Sequence, residues 1–445
     1  MKYPSVLSDV QIEKLVYRGY GLAHAGNNTL FIPYSAPGDL LTVEINKARK
    51  QVLFGKIVKI KQASSSRGQY KCNVFTDCGG CDWLHIKYRE QLHFKKEIIS
   101  ELFRGVFAAE LPEVVSAGHH DHYRNKVFLP LQKDGDIYRI GMFARETHQV
   151  VPHDTCWLQP VLFNHLSQVF LEYMSAAKVS VYDEKSGQGN VRFLGMRYSE
   201  KTSELIIIIV TKNTKLPFTI ILSELLRENF PNLRGIIQNI NPQPVNTILG
   251  KEEKIIWGQD HYYEKIDTLR FRIHYRSFFQ INVAVTESLY KYIRDNIEPG
   301  MKVIDAYCGT GTIGVFIADK ASHVLGWENM TSAVEDARSN AALNGRTNCS
   351  FSVQDLEAKG NLSGIMKKND VIILDPPRKG ISRELLDQII DSGIRRVIYA
   401  SCDPATQLRD IKMFLQSGYH VIRMQAFDMF PHTYHMENVA VLERA

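Results

Sequence analysis

The chain has 445 residues, enough for about three domains at roughly 150 residues each. Its composition, 44% hydrophobic and 23% charged, excludes a disordered, collagen-like or coiled-coil chain, and its longest purely aliphatic run, Leu205 to Val210, falls far short of the roughly 20 residues that span a bilayer. The net charge of +6 is unevenly placed: residues 1–71 carry +7 and the remainder about −1, with no acid between Lys47 and Lys71.

The first residues lack an apolar leader, and seven cysteines are too few, and odd in number, for a secreted disulfide framework. A cytoplasmic location is expected, with cysteine spacing to be read as metal-binding or catalytic. Residues 9–61 contain the strand-like runs VQIEKLV, TLFIPY, LLTVEIN and VLFGKIVKIK, broken by YRGYG, HAGNN and SAPGD. This predicts a small β-barrel with Lys on one face, a surface suited to a phosphate backbone. ASSSRGQ (63–69) is a polar linker, clustered cysteines follow, and a helix is predicted from Lys87 to Phe107. From 113 to 270, runs such as VRFLGMRYS, ELIIIIVT and LRGIIQNI alternate with turns, an α+β segment without a motif of its own. After Ile281 strands and helices alternate, which predicts a parallel sheet with helices on both faces. Its strands are read at 302–306, 323–327, 349–353, 370–374 and 396–400, with a helix over 329–345 between the second and third. The final runs HVIRMQAF and NVAVLER resemble the terminal antiparallel hairpin of class I methyltransferases.

DAYCGTGTIG (305–314) follows an apolar strand and opens a helix, and Gly309, Gly311 and Gly314 let backbone approach a ligand at the sheet's carboxyl edge. The pattern is open to a nicotinamide cofactor, to S-adenosylmethionine or to simple packing. Glu328, ending the second strand, is placed to accept ribose hydroxyls of either cofactor. DPPRKG (375–380) decides for methyl transfer: two prolines fix the backbone so that Asp375 sits at the catalytic edge, as in related loops of nucleic-acid methyltransferases. Arg378 stands where enzymes that methylate exocyclic amino groups place an aromatic, which argues against that chemistry.

SCDPAT (401–406) puts Cys402 at the end of the fifth strand, one strand from Asp375. A lone cysteine is commonly a small buried hydrophobe, but this turn at this edge reads as a nucleophile. Uracil C5 is a poor nucleophile; thiolate addition to C6 makes C5 enolate-like, able to take a sulfonium methyl. A base must then remove the C5 proton so that the thiol can leave, and HMENVAVL places Glu437 for that role. Cys72, Cys78 and Cys81 (C-x5-C-x2-C), with Cys156, supply four soft ligands. Spacing leaves an iron–sulfur cube, zinc or no metal open, with three clustered ligands and one distant ligand favouring the cube. Cys308 and Cys349 read as structural.

On SFFQIN (277–282), DAYCGTGTIG, DPPRKG, SCDPATQLRD (401–410) and FPHTYHMEN (430–438), residues 271–445 resemble the catalytic domain of the RNA 5-methyluridine methyltransferases. The resemblance implies a class I (Rossmann-like) α/β methyltransferase domain over 271–445, an RNA-binding TRAM β-barrel over 1–62 and a central α+β iron–sulfur domain over 63–270. It implies S-adenosyl-L-methionine as cofactor, Cys402 as nucleophile and Glu437 as base. Gln280, Tyr307, Glu328 and Asp375 are then expected to contact cofactor or target uracil, beside the backbone of Gly309 and Gly311, with Asp355 on the adenine side. Thr312 stands where some members carry Asn. A [4Fe-4S] cluster on Cys72, Cys78, Cys81 and Cys156 is implied, zinc being the alternative occupant.

The expected partner is RNA, bound by a monomer that flips its uridine out of the stack, with YRNK (123–126) and Phe278 or Phe279 as further contacts. 23S rRNA is favoured over tRNA because bacterial tRNA enzymes of this family generally lack both barrel and cluster. Besides a tRNA uracil-5 methyltransferase, two competing readings are a radical S-adenosylmethionine methylthiotransferase and a non-catalytic RNA-binding factor. The former needs C-x3-C-x2-C, and retention of Cys402 and Glu437 disfavours the latter.

Overall fold

The computed structural model describes residues 5–357 and 362–444. Alternation of inward and outward side chains builds the first sheet from Val6–Gln11, Lys14–Leu15, Gly21–Ala25, Asn28–Ile32, Leu40–Arg49 and Val52–Gln62. Its spatial order is first, fifth, sixth, fourth, third, second, and the first strand also packs on the third, rolling the sheet up. Leu30, Ile32, Leu41, Val43 and Leu53 turn inward onto Val10, Ile12 and Ala23. Lys47, Lys56, Lys59 and Lys61 stay exposed. Two details differ from the expectation. VQIEKLV is divided between the first two strands, and the stretch read as breaks contains the strand Gly21–Ala25. Glycine serves close approach there: a Cβ on Gly21 would stand 2.0 Å from Ser35 Oγ.

The middle of the chain forms a second, seven-stranded sheet in the order Glu252–Gly258, Leu233–Ile240, Leu205–Thr211, Val191–Tyr198, Lys126–Asp134, Ile137–Phe143, Val150–Pro152. Leu205–Thr211 is buried along its whole length because its two faces serve two cores. Leu205, Ile207 and Ile209 pack with Phe163 and Phe170 of helix Val161–Ala176. Ile206, Ile208 and Val210 join Tyr275, Leu289 and Val303 from the C-terminal part of the chain. This double burial explains why the longest aliphatic run of the sequence falls here. The boundary expected between 270 and 271 lies inside the strand Leu269–His274, which pairs with His261–Ile266 and contributes Phe271 and Ile273 to that same core.

The third sheet holds Lys302–Ala306, His323–Glu328, Cys349–Val353, Val371–Leu374, Arg396–Ser401, Tyr419–Phe427 and Glu437–Arg444. Numbered along the chain, they lie third, second, first, fourth, fifth, seventh, sixth. The first five run parallel, and the seventh is antiparallel to both its neighbours. This is a doubly wound sheet with the expected terminal antiparallel hairpin. Val303, Val371 and Ile373 face one helical layer, while Ile304, Ile372 and Leu374 face the other. The predicted helix near residue 90 spans Tyr88–Leu102 and packs on the second layer through Phe94, Ile98 and Ile99. Strand order reverses between the first and fourth strands, which opens a crevice at their carboxyl ends. No helix among the described residues is long and apolar enough to cross a membrane.

Candidate active site

The cofactor half of the crevice is built at the end of the first strand. Tyr307 leaves that strand at φ +63°, and Gly309 and Gly311 follow at +51° and +74°. A Cβ on Gly311 would meet Ala337 Cβ at 2.8 Å, and one on Gly314 would meet Asp305 Oδ2 at 3.0 Å, so these glycines let helix, loop and strand close together. A Cβ on Gly309 would meet nothing within 4 Å, which marks the open side. Glu328 Oε2 accepts the Gly309 N–H at 3.1 Å, and its Oε1 accepts those of Asn329 and Met330 at 2.9 and 3.0 Å. Its carboxylate is therefore fixed between the loop and the next helix. Asp355, after the third strand, is exposed and accepts the Glu357 N–H at 2.9 Å. Buried Asp305 accepts the Gly314 N–H at 2.9 Å through one oxygen; its other oxygen and the Tyr307 hydroxyl are buried without partners among the described residues. Burial raises the Asp305 carboxyl to about 7. Orphaned polar atoms, open space at Gly309 and carboxylates at successive strand ends fit an S-adenosylmethionine-sized ligand.

The second half lies one and two strands further along. Cys402 ends the fifth strand in a turn where Asp403 caps helix Pro404–Gln416 by accepting the Thr406 N–H at 3.0 Å. DPPRKG turns back on itself through the Gly380 N–H to Pro377 carbonyl bond of 2.8 Å, and Gly380 takes φ +78°. This brings the Arg378 guanidinium beside the Cys402 sulfur. Burial first, then the Glu437 carboxylate, push the Cys402 thiol up to about 12, and Arg378 opposes them. Glu437, only 4% exposed at the start of the last strand, is held well above the usual carboxylate range by burial and by Asp375, again with Arg378 opposing. Burial raises Asp375 as well. Cys402, Glu437, Asp375 and Arg378 thus form one electrostatic cluster.

Tyr290, which no motif names, joins the two halves. Its buried hydroxyl shares a 2.8 Å hydrogen bond with Thr312, and the charges of Asp375, Asp305 and Glu437 act on it. Its readable signal was a polar-tipped residue on the apolar face of helix Val283–Asp295, in line with Thr286, Leu289 and Ile293. Gln280 is buried just before that helix, and its carbonyl accepts from Asn125 Nδ2 at 2.9 Å. Among the described residues, no hydrogen bond joins its side chain to another group.

The loop leading to Glu437 is anchored from the far end of the chain. Lys95, fully buried, pairs with Asp428 and donates to the carbonyl of His435 at 2.8 Å. Tyr88 donates to Asp428 Oδ2 at 2.7 Å, Gln91 Oε1 accepts the His432 N–H at 2.9 Å, and His432 Nε2 meets Asp121 Oδ1 at 3.0 Å. Sequence reading passed over Lys95, although its position three and four residues before Ile98 and Ile99 places it on the apolar helix face.

Residues 87–445 match the tRNA (uracil-5-)-methyltransferase family, and residues 9–59 match the TRAM domain of tRNA (uracil(54)-C(5))-methyltransferase. The chain belongs to the tRNA (uracil-5-)-methyltransferase family. It is an S-adenosylmethionine-dependent RNA uracil-5 methyltransferase, and membership removes the methylthiotransferase and non-catalytic readings. An uncharacterized RNA methyltransferase of Halalkalibacterium halodurans is 34% identical over 444 residues, covering 98% of this chain and 96% of the relative. One from Clostridium tetani is 35% identical over 432 residues, covering 96% and 94%. The crystal structure of Pyrococcus abyssi tRNA (uracil-54, C5)-methyltransferase with S-adenosyl-L-homocysteine superposes with a TM-score of 0.79 at 27% identity, over 97% of this chain and all of that one.

Two further expectations have a location. Cys72, Cys78, Cys81 and Cys156 line one cavity of about 30 Å³ with Phe75, Leu84 and Trp157. Burial pushes the Cys78 thiol up to about 11 and raises Cys81 and Cys156, and Cys72 adds to the effect in each case. Four thiolates so placed need a cationic centre between them, so the donor set fits a metal group. In YRNK, Tyr123 donates to the Pro431 carbonyl at 3.1 Å, Asn125 holds the Gln280 segment, and Lys126 lies 5.9 Å from the centroid of the exposed Phe278 ring.

Proposed function

We propose that this enzyme methylates C5 of a uridine in 23S rRNA through a covalent adduct on Cys402. The observation that carries the mechanism is the electrostatic grouping of Cys402, Glu437, Asp375 and Arg378, linked through Tyr290 to Thr312 at the end of the glycine loop. Bound S-adenosylmethionine supplies an electrophilic methyl on a sulfonium. Arg378 favours ionisation of Cys402, whose sulfur bonds to uracil C6 and leaves C5 electron-rich; C5 takes the methyl as its bond to the sulfonium breaks, the electron pair staying on that sulfur, which leaves as a neutral thioether. Glu437, a stronger base when ionised in its buried site than in water, accepts the C5 proton. The released pair re-forms the C5–C6 double bond as the C6–S bond breaks and the thiolate returns. Gln280, Tyr307, Glu328 and Asp375 contact the cofactor or the target uracil, and Gly309, Gly311, Thr312 and Asp355 complete the cofactor site. The uridine reaches Cys402 by flipping out of its stack. In the test, Glu437→Ala accumulates a denaturation-resistant protein–RNA adduct that Cys402→Ala does not form. Methylation by Cys402→Ala overturns the mechanism.

Cys72, Cys78, Cys81 and Cys156 would hold a [4Fe-4S] cluster with no open iron, a structural or RNA-positioning centre. Three clustered ligands and one distant ligand support the cluster over zinc. Iron and sulfide analysis of anaerobically purified protein tests this, and one zinc without sulfide overturns it. The division into barrel (1–62), cluster-bearing middle (63–270) and methyltransferase (271–445), monomeric action and a cytoplasmic location complete the proposal. The likeness to the Pyrococcus abyssi enzyme favours a second reading, uridine 54 of tRNA. Mapping 5-methyluridine in rRNA and tRNA of a deletion strain separates the two.

A further inference from the structure

On the barrel strands Asn28–Ile32 and Val52–Gln62, Leu30, Ile32 and Leu53 fill the core, so Phe31 and Phe54 face the other way. They are direct partners across the ladder, their rings 5.6 Å apart and tilted by 32°. Tyr20 meets them nearly edge-on at 6.3 and 6.1 Å. An outward strand face ordinarily carries polar side chains; here three half-buried rings wall the same cleft of about 1090 Å³ that Cys402 and Arg378 line. Cations stand on the rim: Lys47 Nζ is 5.8 Å from the Phe54 ring, and the Arg145 guanidinium, anchored on Asp82 at 3.0 Å, is 5.0 Å from Tyr20. The barrel is tied to the catalytic side, since Trp83 Nε1 donates to the Gly19 carbonyl at 3.1 Å and the Tyr17 ring meets Tyr434 edge-on at 6.2 Å. The cleft reaches the top of the roughly 300–1,000 Å³ that encloses one small ligand, so nucleotides beside the one at Cys402 have room.

We propose that Tyr20, Phe31 and Phe54 are a stacking platform for a base of single-stranded RNA next to the target uridine, with Arg18, Lys47, Arg49 and Arg145 along the phosphates. This deepens the uridine reading and rests on it. Ring faces accept any base, so the platform sets the path of the strand rather than its sequence.

The test titrates the full-length protein with a fluorescein-labelled oligouridine 12-mer and with a sugar–phosphate 12-mer of equal charge that lacks bases. One stacked base is worth about 5- to 150-fold in affinity. Wild type prefers the oligouridine, and Phe31→Ala/Phe54→Ala loses a factor of that size while its salt dependence stays unchanged. Phe54→Leu, which keeps apolar bulk without the ring, gives the same readout should the double variant unfold. Equal binding of both strands by wild type, or a wild-type preference in folded variants, overturns the platform. A 12-mer with one 5-fluorouridine, which has no C5 proton to lose, scores the Cys402 reading separately. No Cys402-dependent adduct overturns that mechanism and leaves the affinity result standing.

Discussion

The two halves of the crevice share one sheet edge but are made differently. The cofactor half is local: a strand, a turn with two left-handed glycines and a helix lie between Lys302 and Ile317, and Glu328 ends the adjacent strand. The half around Cys402 is assembled from distant pieces, since Cys402 and Arg378 come from separate loops and the approach to Glu437 is pinned by Lys95, 333 residues from its partner Asp428. A local turn forms wherever its own residues allow it. A pocket of distant residues exists only when the packing between them is complete, and disruption there is correspondingly costly.

The sharpest way to break the comparison is Cys402→Ala. It should bring methylation to background while the affinity for S-adenosyl-L-homocysteine, measured by calorimetry, stays at the wild-type value; joint loss would show that the halves are not separable. Next comes Lys95→Met. Removing one partner of a fully buried pair costs about 3–5 kcal/mol, read by denaturant unfolding, whereas Lys95→Met/Asp428→Asn should recover most of that loss. Gly311→Ala is smaller: the left-handed backbone costs about 1–2 kcal/mol, with contact against Ala337 added, and the loss should appear in cofactor affinity rather than in adduct formation. The mildest change is Arg378→Ala. Burial and Glu437 hold the Cys402 thiol protonated, so adduct formation on 5-fluorouridine RNA should speed up as pH rises. Without the cation that opposes them, the rise should move to higher pH and the rate at any fixed pH should fall several-fold. Arg378 is exposed, so added salt should narrow the difference.

The third sheet was legible because its strands are short apolar runs that alternate with helical segments, and chain order through a doubly wound sheet follows from their alternation. One small difference has a local cause: Gly21 sits inside a strand where the sequence suggested a break, because the close approach of Ser35 to its Cα needs glycine there. Arg378 was read only as a missing aromatic, although the DPPRKG turn delivers it to the Cys402 sulfur. Tyr290 and Lys95 were hidden among apolar helix positions, where their chemistry depends on what the opposite element presents.

The sequence by itself determined the third sheet, the glycine loop and the charge gathered at the N-terminus, and it singled out Cys402, Glu437 and the four clustered and distant cysteines, because each is written in neighbouring residues or in a repeating period. Only the tertiary structure decided that a buried lysine holds the base's loop, that a tyrosine links the two halves, and that aromatic residues of the basic barrel share a cleft with Cys402. Those contacts join elements hundreds of residues apart, and their geometry comes from packing that no local pattern encodes.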